Sequence, residues 1–345
     1  MAWTIDLLSN AGSTILADAP WRTAKATWSL DGPGSLEVDL IEDDAPSWVP
    51  NERRVVLRRD GTAKWAGWLS RLRTEGRPKD FRLTASALGL SSILGSGVVH
   101  GDFSRTGVVA TTIAWDLIAH LQAQANAAFG FTLGAVVGTA TSRTRNYCDG
   151  DNIAEAIDEL AGHDPGGFDW DLSPTGAFRA WVGGRGSVTG ITVSRNDAQE
   201  WSVESEGVDV ATYATVIGDA DEPCGAPLVT VSSSLAGTYP RREAVVDADS
   251  TDSAEMTTKG TEELRKRTAA RIRSTAGYVG ASQIPFATWE SVWLGDRVTI
   301  AHPAWHGGSQ TMRCTQVEVS LERGTLRQLG TTEDFSVYEY TFEGV

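Results

Sequence analysis

Acidic side chains that alternate along one short segment are the first feature of this chain that could do chemistry. Asp169 and Asp171 stand two residues apart in the run FDWDL, and His163 and Asp164 precede them closely. On an extended strand the two carboxylates would share one face about 7 Å apart. That separation suits the acids of an inverting glycosidase, and the four side chains together could also hold a cation. Any exposed strand with this spacing gives the same separation, so we interpret the two aspartates as solvated.

Three further segments carry ligand-like residues without the geometry of a site. His302 and His306 are spaced as on one helix face, but a proline and two glycines follow them, so we predict a loop and no metal. The run GGRGSVTG at 183–190 lies between two strand-like runs and is interpreted as a flexible hairpin loop. The acidic run DADSTD at 247–252 lacks the glycine and glutamate of a calcium loop, so we interpret it as a solvated loop.

The signature motifs of several enzyme classes are missing. GxSxG, HExxH and GxxxxGK do not occur, so we predict no catalytic residues, no cofactor and no enzyme activity. The 13 tryptophans would suit sugar binding, but they are spread from Trp3 to Trp305, and indole rings are also common in cores and interfaces. A carbohydrate-binding adsorption protein and, after it, a cell-wall hydrolase stay as alternatives.

The composition limits the partners of the chain. Its 345 residues carry 30 basic and 45 acidic side chains, a formal net charge of −15. Nucleic-acid-binding domains usually present a basic surface, so we do not expect tight DNA binding. Cys148, Cys224 and Cys314 form no CxxC pair, which favours neither disulfides nor zinc. No secretion signal or membrane-spanning run is found, so we expect synthesis and folding in the cytosol.

The elements that must position these residues divide the chain into four sections. Strand-like runs between turn residues predict an N-terminal β domain over 1–99, and helices with a hairpin predict an α+β domain over 100–195. Residues 196–255 are polar and predict strands joined by long loops. Residues 256–345 predict a helix and a second β domain. The fold class is therefore mainly β with an α+β insert.

Three helices are predicted from apolar spacing and capping residues. Ile113, Leu117 and Leu121 repeat every four residues behind two threonines that could cap the helix start. In DNIAEAIDELAGH, Asn152 is a capping residue in front of an apolar stripe. A third helix is predicted over about 259–274, where acidic residues precede basic ones.

Turn residues mark the strand ends. The run TWSLDGPGSLEVDL at 27–40 predicts a sharp turn with Gly32 and Gly34 at positive φ, followed by a half-buried strand. Asp60 and Gly61 stand between two β-prone runs and predict a type I′ hairpin.

The order of these segments resembles that of tailed-bacteriophage tail-tip proteins, the minor tail or baseplate hub family. The resemblance covers nearly the whole chain and is carried by ATWSLDGPGSLEVDL, VVLRRDGTAKWAGWLSRL, DNIAEAIDELAGHDPGGFDWDLSPTGAFRAW, VWLGDRVTI and MRCTQVEVSLERG. The matching positions all belong to turns or strand entries, and they are Gly32, Gly34, Asp60, Gly61, Gly67, Gly295, Asp296 and Val298.

The resemblance implies two β-barrel hub domains with helix-containing domains between them, assembled as a homotrimer around a channel at the tail tip of a virion. It implies a distal tail ring protein, a tape-measure protein and tail fibre or receptor-binding proteins as partners, and DNA that passes without tight binding. We predict subunit contacts at the acidic, aromatic tail from Glu333 to Val345 and at Arg53, Arg54, Arg58 and Arg59.

Overall fold

The computed structural model describes residues 3–10, 12–30, 32–41, 48, 50, 53–77, 80–125, 127–162, 167–193, 200–206, 211–218, 227–234, 236, 241–248, 251–267, 271–279, 292–301, 309–322 and 335–344. The predictions for His163, Asp164, His302 and His306 lie outside these residues.

The described residues are mainly β, as predicted. The strands are β1 (Trp3–Ser9), β2 (Thr14–Leu16), β3 (Trp21–Ser29), β4 (Ser35–Leu40), β5 (Arg53–Arg59), β6 (Thr62–Arg77), β7 (Asp80–Gly89), β8 (Phe103–Val109), β9 (Thr132–Val137), β10 (Ser142–Tyr147), β11 (Phe168–Leu172), β12 (Ala177–Val182), β13 (Val188–Val193), β14 (Glu200–Glu206), β15 (Tyr213–Ile217), β16 (Leu228–Ser232), β17 (Glu243–Asp247), β18 (Arg271–Val279), β19 (Arg297–Ala301), β20 (Ser309–Glu322) and β21 (Phe335–Gly344). The α-helices are α1 (Ala110–Gln122), α2 (Ile153–Gly162) and α3 (Ser253–Arg267), and a 3-10 helix covers Leu90–Ser96.

The largest sheet has 13 strands and joins the two ends of the chain. Its main path runs β14-β18-β21-β20-β3-β4-β7-β6-β5-β1-β2, and β19 pairs with both β20 and β13. The link between the N-terminal and C-terminal strands is the antiparallel pair of β3 and β20, in which Trp28 lies opposite Val317. The two predicted β domains therefore share hydrogen-bonded strands.

One apolar core lies against these strands and draws on both chain ends. Ile5 and Leu57 come from the first section, and Val298, Val317 and Tyr340 come from the last; all five are at most 1% exposed. Burial of such side chains is the main favourable term in folding. The bounds of the four sections stay a prediction, but the first and last sections pack as neighbours.

A second core lies on the outer face of the N-terminal strands. Val56 of β5 and Trp68 of β6 point away from the first core and contact a layer formed by α1, α2 and a small sheet. That layer contributes buried residues such as Ile113, Ile157 and Phe178. The small sheet has the order β11-β12-β9, and β8 pairs with β10 beside it. The α+β section is thus anchored on the first β section.

A third layer is formed by α3 and a sheet of order β16-β15-β17. Leu264 of α3 packs with Ala214 of β15, and Met256 packs with Val216. Gly260 allows this close approach, because a Cβ there would lie 2.8 Å from a methyl carbon of Val216. The helix covers one face of this sheet.

The first two predicted helices are present, with one difference at a cap. The N-cap residue of α1 is Val109, which makes no side-chain capping bond, and Thr111 lies buried inside the helix. Asn152 does cap α2, since its Oδ1 accepts a hydrogen bond from the Glu155 N–H at 3.2 Å.

The bounds predicted for the third helix are wrong. The helix begins at Ser253 and ends at Arg267, and residues 271–274 of the predicted span lie in β18. Strand pairing of β18 with β14 and β21 overrides the helical pattern there. In the run DADSTD, Asp247 ends β17, residues 249–250 lie outside the described residues, and the exposed Asp252 accepts a hydrogen bond from the Ala254 N–H at 2.7 Å at the start of α3.

The turn predictions have mixed outcomes. Asp60 and Gly61 have φ of 48° and 79°, and the strands on either side pair as predicted for a type I′ hairpin. Gly34 has φ of 66°, and a Cβ there would lie 2.3 Å from the Thr27 carbonyl oxygen. Gly32 is not at positive φ, so one glycine rather than two makes the sharp turn.

The segment at 183–190 is not a hairpin loop. Strand β12 before it belongs to the small sheet, whereas β13 after it pairs in parallel with β19 of the large sheet. Gly183, Gly184 and Gly186 all have positive φ, which turns the chain from one sheet to the other.

The C-terminal segment is built into the large sheet. Strand β21 lies between β18 and β20, and Tyr340 is 1% exposed. Both edges of β21 are therefore paired within the chain, and the subunit contact at this tail stays a prediction.

Among the described residues, the α-helices are too short or too polar to span a membrane.

Candidate functional site

A cleft of about 1070 Å³ opens where three parts of the chain meet. Pro33 and Trp65 line it from the first β section, Asp158 and Trp170 from α2 and β11, and Trp293 from the segment before β19. Ligand sites are often found at such junctions and have volumes of about 300 to 1000 Å³. The cleft is therefore the candidate site.

Five charged residues, which we call the Asp–Arg cluster, stand at the inner end of β11 and its neighbours: Asp169, Asp171, Arg179, Arg185 and Arg313. The guanidinium of Arg179 donates two hydrogen bonds of 2.7 Å to the two oxygens of Asp171, and Arg185 Nη1 donates to Asp171 Oδ2 at 2.6 Å. Asp169 Oδ2 accepts from the Arg185 backbone N–H and from Arg313 Nη2. The cluster thus ties the small sheet to β20 of the large sheet.

These contacts overturn the interpretation of the two aspartates as solvated. The side chains of Asp169 and Asp171 are only 19% and 26% exposed, and each carboxylate is held by an arginine. Charge-assisted, two-pronged pairs of this kind are among the stronger hydrogen bonds in proteins. Asp169 and Asp171 therefore act as ion-pair partners in this fold.

Burial also acts on the arginines of the cluster. Burial lowers the pKa of Arg185, and the neighbouring Asp171 carboxylate acts in the opposite direction. The guanidinium of Arg185 lies 4.4 Å from the ring centroid of Trp181, and that of Arg179 lies 5.4 Å from it. Both cations are therefore stabilised by an indole face as well as by a carboxylate.

Aromatic side chains form much of the remaining wall. Trp28 and Trp293 contact each other edge to face with centroids 5.4 Å apart. Trp170 donates its indole N–H to Asp158 Oδ1 at 3.1 Å. Burial raises the pKa of Asp158, and the bond from Trp170 acts against this rise. Asp158 is thus a single carboxyl group in a partly apolar wall.

Gly295 and Asp296, predicted from the sequence, fix the segment beside the cluster. Gly186 and Gly295 approach each other so closely that a Cβ on Gly186 would lie 2.2 Å from the Gly295 carbonyl carbon. Asp296 accepts hydrogen bonds from the Ser187 N–H at 2.9 Å and from the Trp293 N–H at 2.8 Å. These two residues hold Trp293 in the cleft wall.

The other predicted positions are not brought together. Gly32 lines the cleft, whereas Asp60 and Gly61 form a hairpin tip and Val298 is buried in the first core. Gly67 lies in β6, where a Cβ would be 2.2 Å from a carbonyl oxygen of β7. Each has a structural role, and together they do not make a site.

The arginines predicted at subunit contacts make contacts inside the chain. Arg58 Nε lies 2.6 Å from Asp6 Oδ2. The Arg54 guanidinium carbon lies 5.2 Å from the centroid of the Trp68 ring. The Arg59 guanidinium carbon lies 5.7 Å from the centroid of the Trp3 ring. Burial lowers the pKa of Arg54. Arg54, Arg58 and Arg59 therefore make intramolecular contacts, and their role at a subunit contact stays a prediction.

The arginines of the cluster were missed from the sequence. The register of the β11–β12 hairpin places Arg179 opposite Asp171, so strand alternation offered a signal for this pair. Arg313 is 144 residues from Asp169, and no local pattern links the two. Among the described residues, no group of three or more His, Cys, Asp or Glu side chains could hold a metal ion.

The fold matches solved phage tail proteins along almost its entire length. The tail protein from Neisseria meningitidis aligns with a TM-score of 0.69 at 14% identity, covering 99% of this chain and 97% of that one. The 43 kDa tail protein of prophage MuSo2 from Shewanella oneidensis gives 0.68 at 13% identity, covering 98% of both chains. The prophage tail protein gp18 from Listeria monocytogenes gives 0.61 at 11% identity, covering 99% and 94%. No family model and no curated protein sequence matches the chain.

Proposed function

We propose that this chain is a structural subunit of a bacteriophage tail. The observation that carries the proposal is the agreement in fold with the Neisseria and Shewanella tail proteins, which covers at least 97% of each chain. The pairing of the two aspartates with arginines adds support, because it leaves neither carboxylate free for hydrolysis. The subunit therefore serves assembly rather than catalysis.

We further propose that the subunit forms a homotrimeric hub at the tail tip. There it closes the tail tube, anchors the distal ring, tape-measure and fibre or receptor-binding proteins, and lines the channel for DNA ejection. The net charge of −15 supports a channel that does not retain DNA, since binding strength grows with the number of phosphates that basic residues neutralise. The order of a β section, helix-containing sections and a second β section supports the hub.

A surface for contact between copies lies on β9, an edge strand of the small sheet. Leu133 and Val137 on this strand are each 54% exposed, and Val136 is 41% exposed. An exposed apolar edge strand is a liability in a monomer and is commonly covered by another chain. We propose β9 as a subunit contact in addition to the one predicted at the C-terminal tail.

The proposal is tested by imaging phage particles that carry a tagged copy of this chain. We expect density for the tag at the distal end of the tail, in three copies around the axis. Tag density along the whole tube, or one or six equal copies at the tip, would contradict the hub.

The contact on β9 is tested in solution by native mass spectrometry. We expect Leu133→Asp to lower the trimer fraction of the purified protein. Leu228→Asp is the matched control, because Leu228 is also an exposed aliphatic side chain, 65% exposed, but lies on β16 outside the small sheet. Equal effects of the two variants would remove β9 from the interface.

A further inference from the structure

Strand β11 has an open edge, and the cleft lies along it. The small sheet ends at β11, which pairs only with β12 among the described strands. The phase of this antiparallel pair is set by two bonds at its ends: Gly183 N–H to Gly167 C=O at 3.2 Å, and Ser173 N–H to Ala177 C=O at 2.8 Å. In such a pair, every second residue bonds to the partner strand and the residues between them point their backbone groups away.

The outward residues are Phe168, Trp170 and Leu172. Their backbone N–H and C=O groups face away from β12, whereas those of Asp169 and Asp171 face it. All three outward residues line the cleft, and no hydrogen bond to their backbone groups is found within the described part of the chain. A row of unpaired backbone groups in a cleft is a template for another strand.

The length of β11 suits an added strand. A strand placed beside β11 would lie about 4.8 Å from it, and five residues of β11 offer about 17 Å of edge. Trp65 and Trp293 stand among the residues of the facing walls. Aromatic and aliphatic walls of this kind take alternate side chains of an extended segment.

The charge of the cleft restricts what can enter it. The charged lining residues balance, three basic against three acidic, and they are Lys64, Arg179, Arg185, Asp158, Asp169 and Asp171. Arg179 and Arg185 already hold Asp171, and Asp169 holds Arg313. The cluster offers a charged group no free counterion, and the two remaining charges, Lys64 and Asp158, cancel, so an occupant without net charge is favoured.

We propose that β11 binds an extended, uncharged segment of another protein, which joins the small sheet as a strand inside the cleft. The occupant is recognised by its backbone through Trp170 and Leu172, and by small or aliphatic side chains at alternate positions. This inference concerns the isolated chain and does not depend on where the chain sits in a particle. Its failure would therefore leave the imaging test of the hub unaffected.

The backbone donor of Leu172 allows a sharp test. Proline at 172 removes an N–H that points away from β12, so the ladder between β11 and β12 keeps its bonds, as is usual for proline on an edge strand. Leu172→Ala is the matched control, because it removes the same side chain and keeps the N–H. The difference between the two variants isolates the backbone contact.

The probe is a displayed library of random ten-residue segments selected against the purified full-length protein. We expect enriched segments with few charged residues and few prolines, and binding of the synthetic peptides measured by fluorescence anisotropy. Leu172→Pro should weaken binding at least tenfold relative to Leu172→Ala. A library that yields no enriched segment, or peptides that bind both variants equally, would overturn the proposal.

Amide hydrogen exchange measured on the unmodified protein tests the same strand edge, and its result does not depend on how the proline variant folds. We expect the amides of Trp170 and Leu172 to exchange freely and to gain protection when peptide binds, whereas those of Asp169 and Asp171 are protected throughout. Protection of all four amides to the same degree in the free protein would show that the edge is already covered. Binding of neutral oligosaccharides in place of peptides, unaffected by Leu172→Pro, would show that the cleft is a sugar site instead.

Discussion

Replacing Asp169 by asparagine removes the negative charge that holds Arg313 of β20 against the small sheet. The same oxygen, Oδ2, also accepts the Arg185 backbone N–H. A hydrogen bond to a charged group contributes about 1.5 to 3 kcal/mol, and an ordinary one about 1 kcal/mol. Asparagine keeps one acceptor but leaves a guanidinium, 20% exposed, without its counterion. We therefore expect the free energy of unfolding to fall by about 2 to 3 kcal/mol, whereas loss of the charge of a solvated side chain would have almost no effect.

The assay is urea denaturation of the purified protein followed by circular dichroism, with Glu75→Gln as the control. Glu75 also pairs with an arginine, but both side chains of that pair are at least 50% exposed, so the loss should stay below about 1 kcal/mol. A double variant of Asp169 and Arg313 should cost less than the sum of the two single changes, because they remove one shared contact.

Two results would refute this account of the cluster. One is an equal, small effect of Asp169→Asn and Glu75→Gln, which would mean that solvent screens both pairs alike. The other is strict additivity in the double variant, which would mean that the Asp169–Arg313 contact contributes nothing of its own.

Three further predictions concern packing, pH and thiol chemistry. Gly67→Ala should lower the free energy of unfolding by about 1 to 3 kcal/mol, because its Cβ would lie 2.2 Å from a backbone oxygen of β7. Gly95→Ala is the control, since a Cβ there meets open space and should leave the free energy of unfolding nearly unchanged; thermal denaturation compares the two variants. Burial raises the pKa of Asp158 in the folded protein, so its contribution to stability is fully present below its unfolded pKa and is lost as pH rises through its folded pKa. Asparagine carries no charge at either pH, so Asp158→Asn should raise the free energy of unfolding, relative to wild type, more at pH 7 than at pH 3, as measured by urea denaturation. Cys148 is exposed and should react with a thiol reagent in the native protein, whereas Cys314 is buried with a raised pKa and should be labelled only after unfolding. Peptide mass mapping identifies the labelled cysteines, and labelling of Cys314 before Cys148 would contradict this prediction.

Features set by neighbours in sequence were predictable. The Asp60-Gly61 hairpin follows from two residues that tolerate positive φ, and the start of α2 follows from Asn152 and the apolar stripe behind it. The mainly-β class follows from the period of two along the strands. Each of these depends on a few adjacent residues, so a single sequence contains the information.

Features set by distant partners were not predictable. The helical pattern after Arg267 gives way to β18, because β14 and β21 offer strand partners on both sides. The C-terminal segment looks like a free acidic tail until β18 and β20 are placed beside it. The two aspartates look solvated until Arg313 is folded against them, 144 residues away from Asp169.

The pleat of β11 explains why one short strand can serve both the fold and a partner. The Asp169 side chain holds Arg313 of β20, the Asp171 side chain holds two other arginines, and the backbone groups of both aspartates face β12. The same pleat directs the backbone groups of Trp170 and Leu172 to the opposite edge, where they meet no hydrogen-bond partner among the described residues. Stability and docking therefore depend on alternate residues of one strand. Loss of the Asp169 charge should loosen the attachment of the small sheet to β20, while a change at Leu172 that spares its N–H should leave that attachment intact.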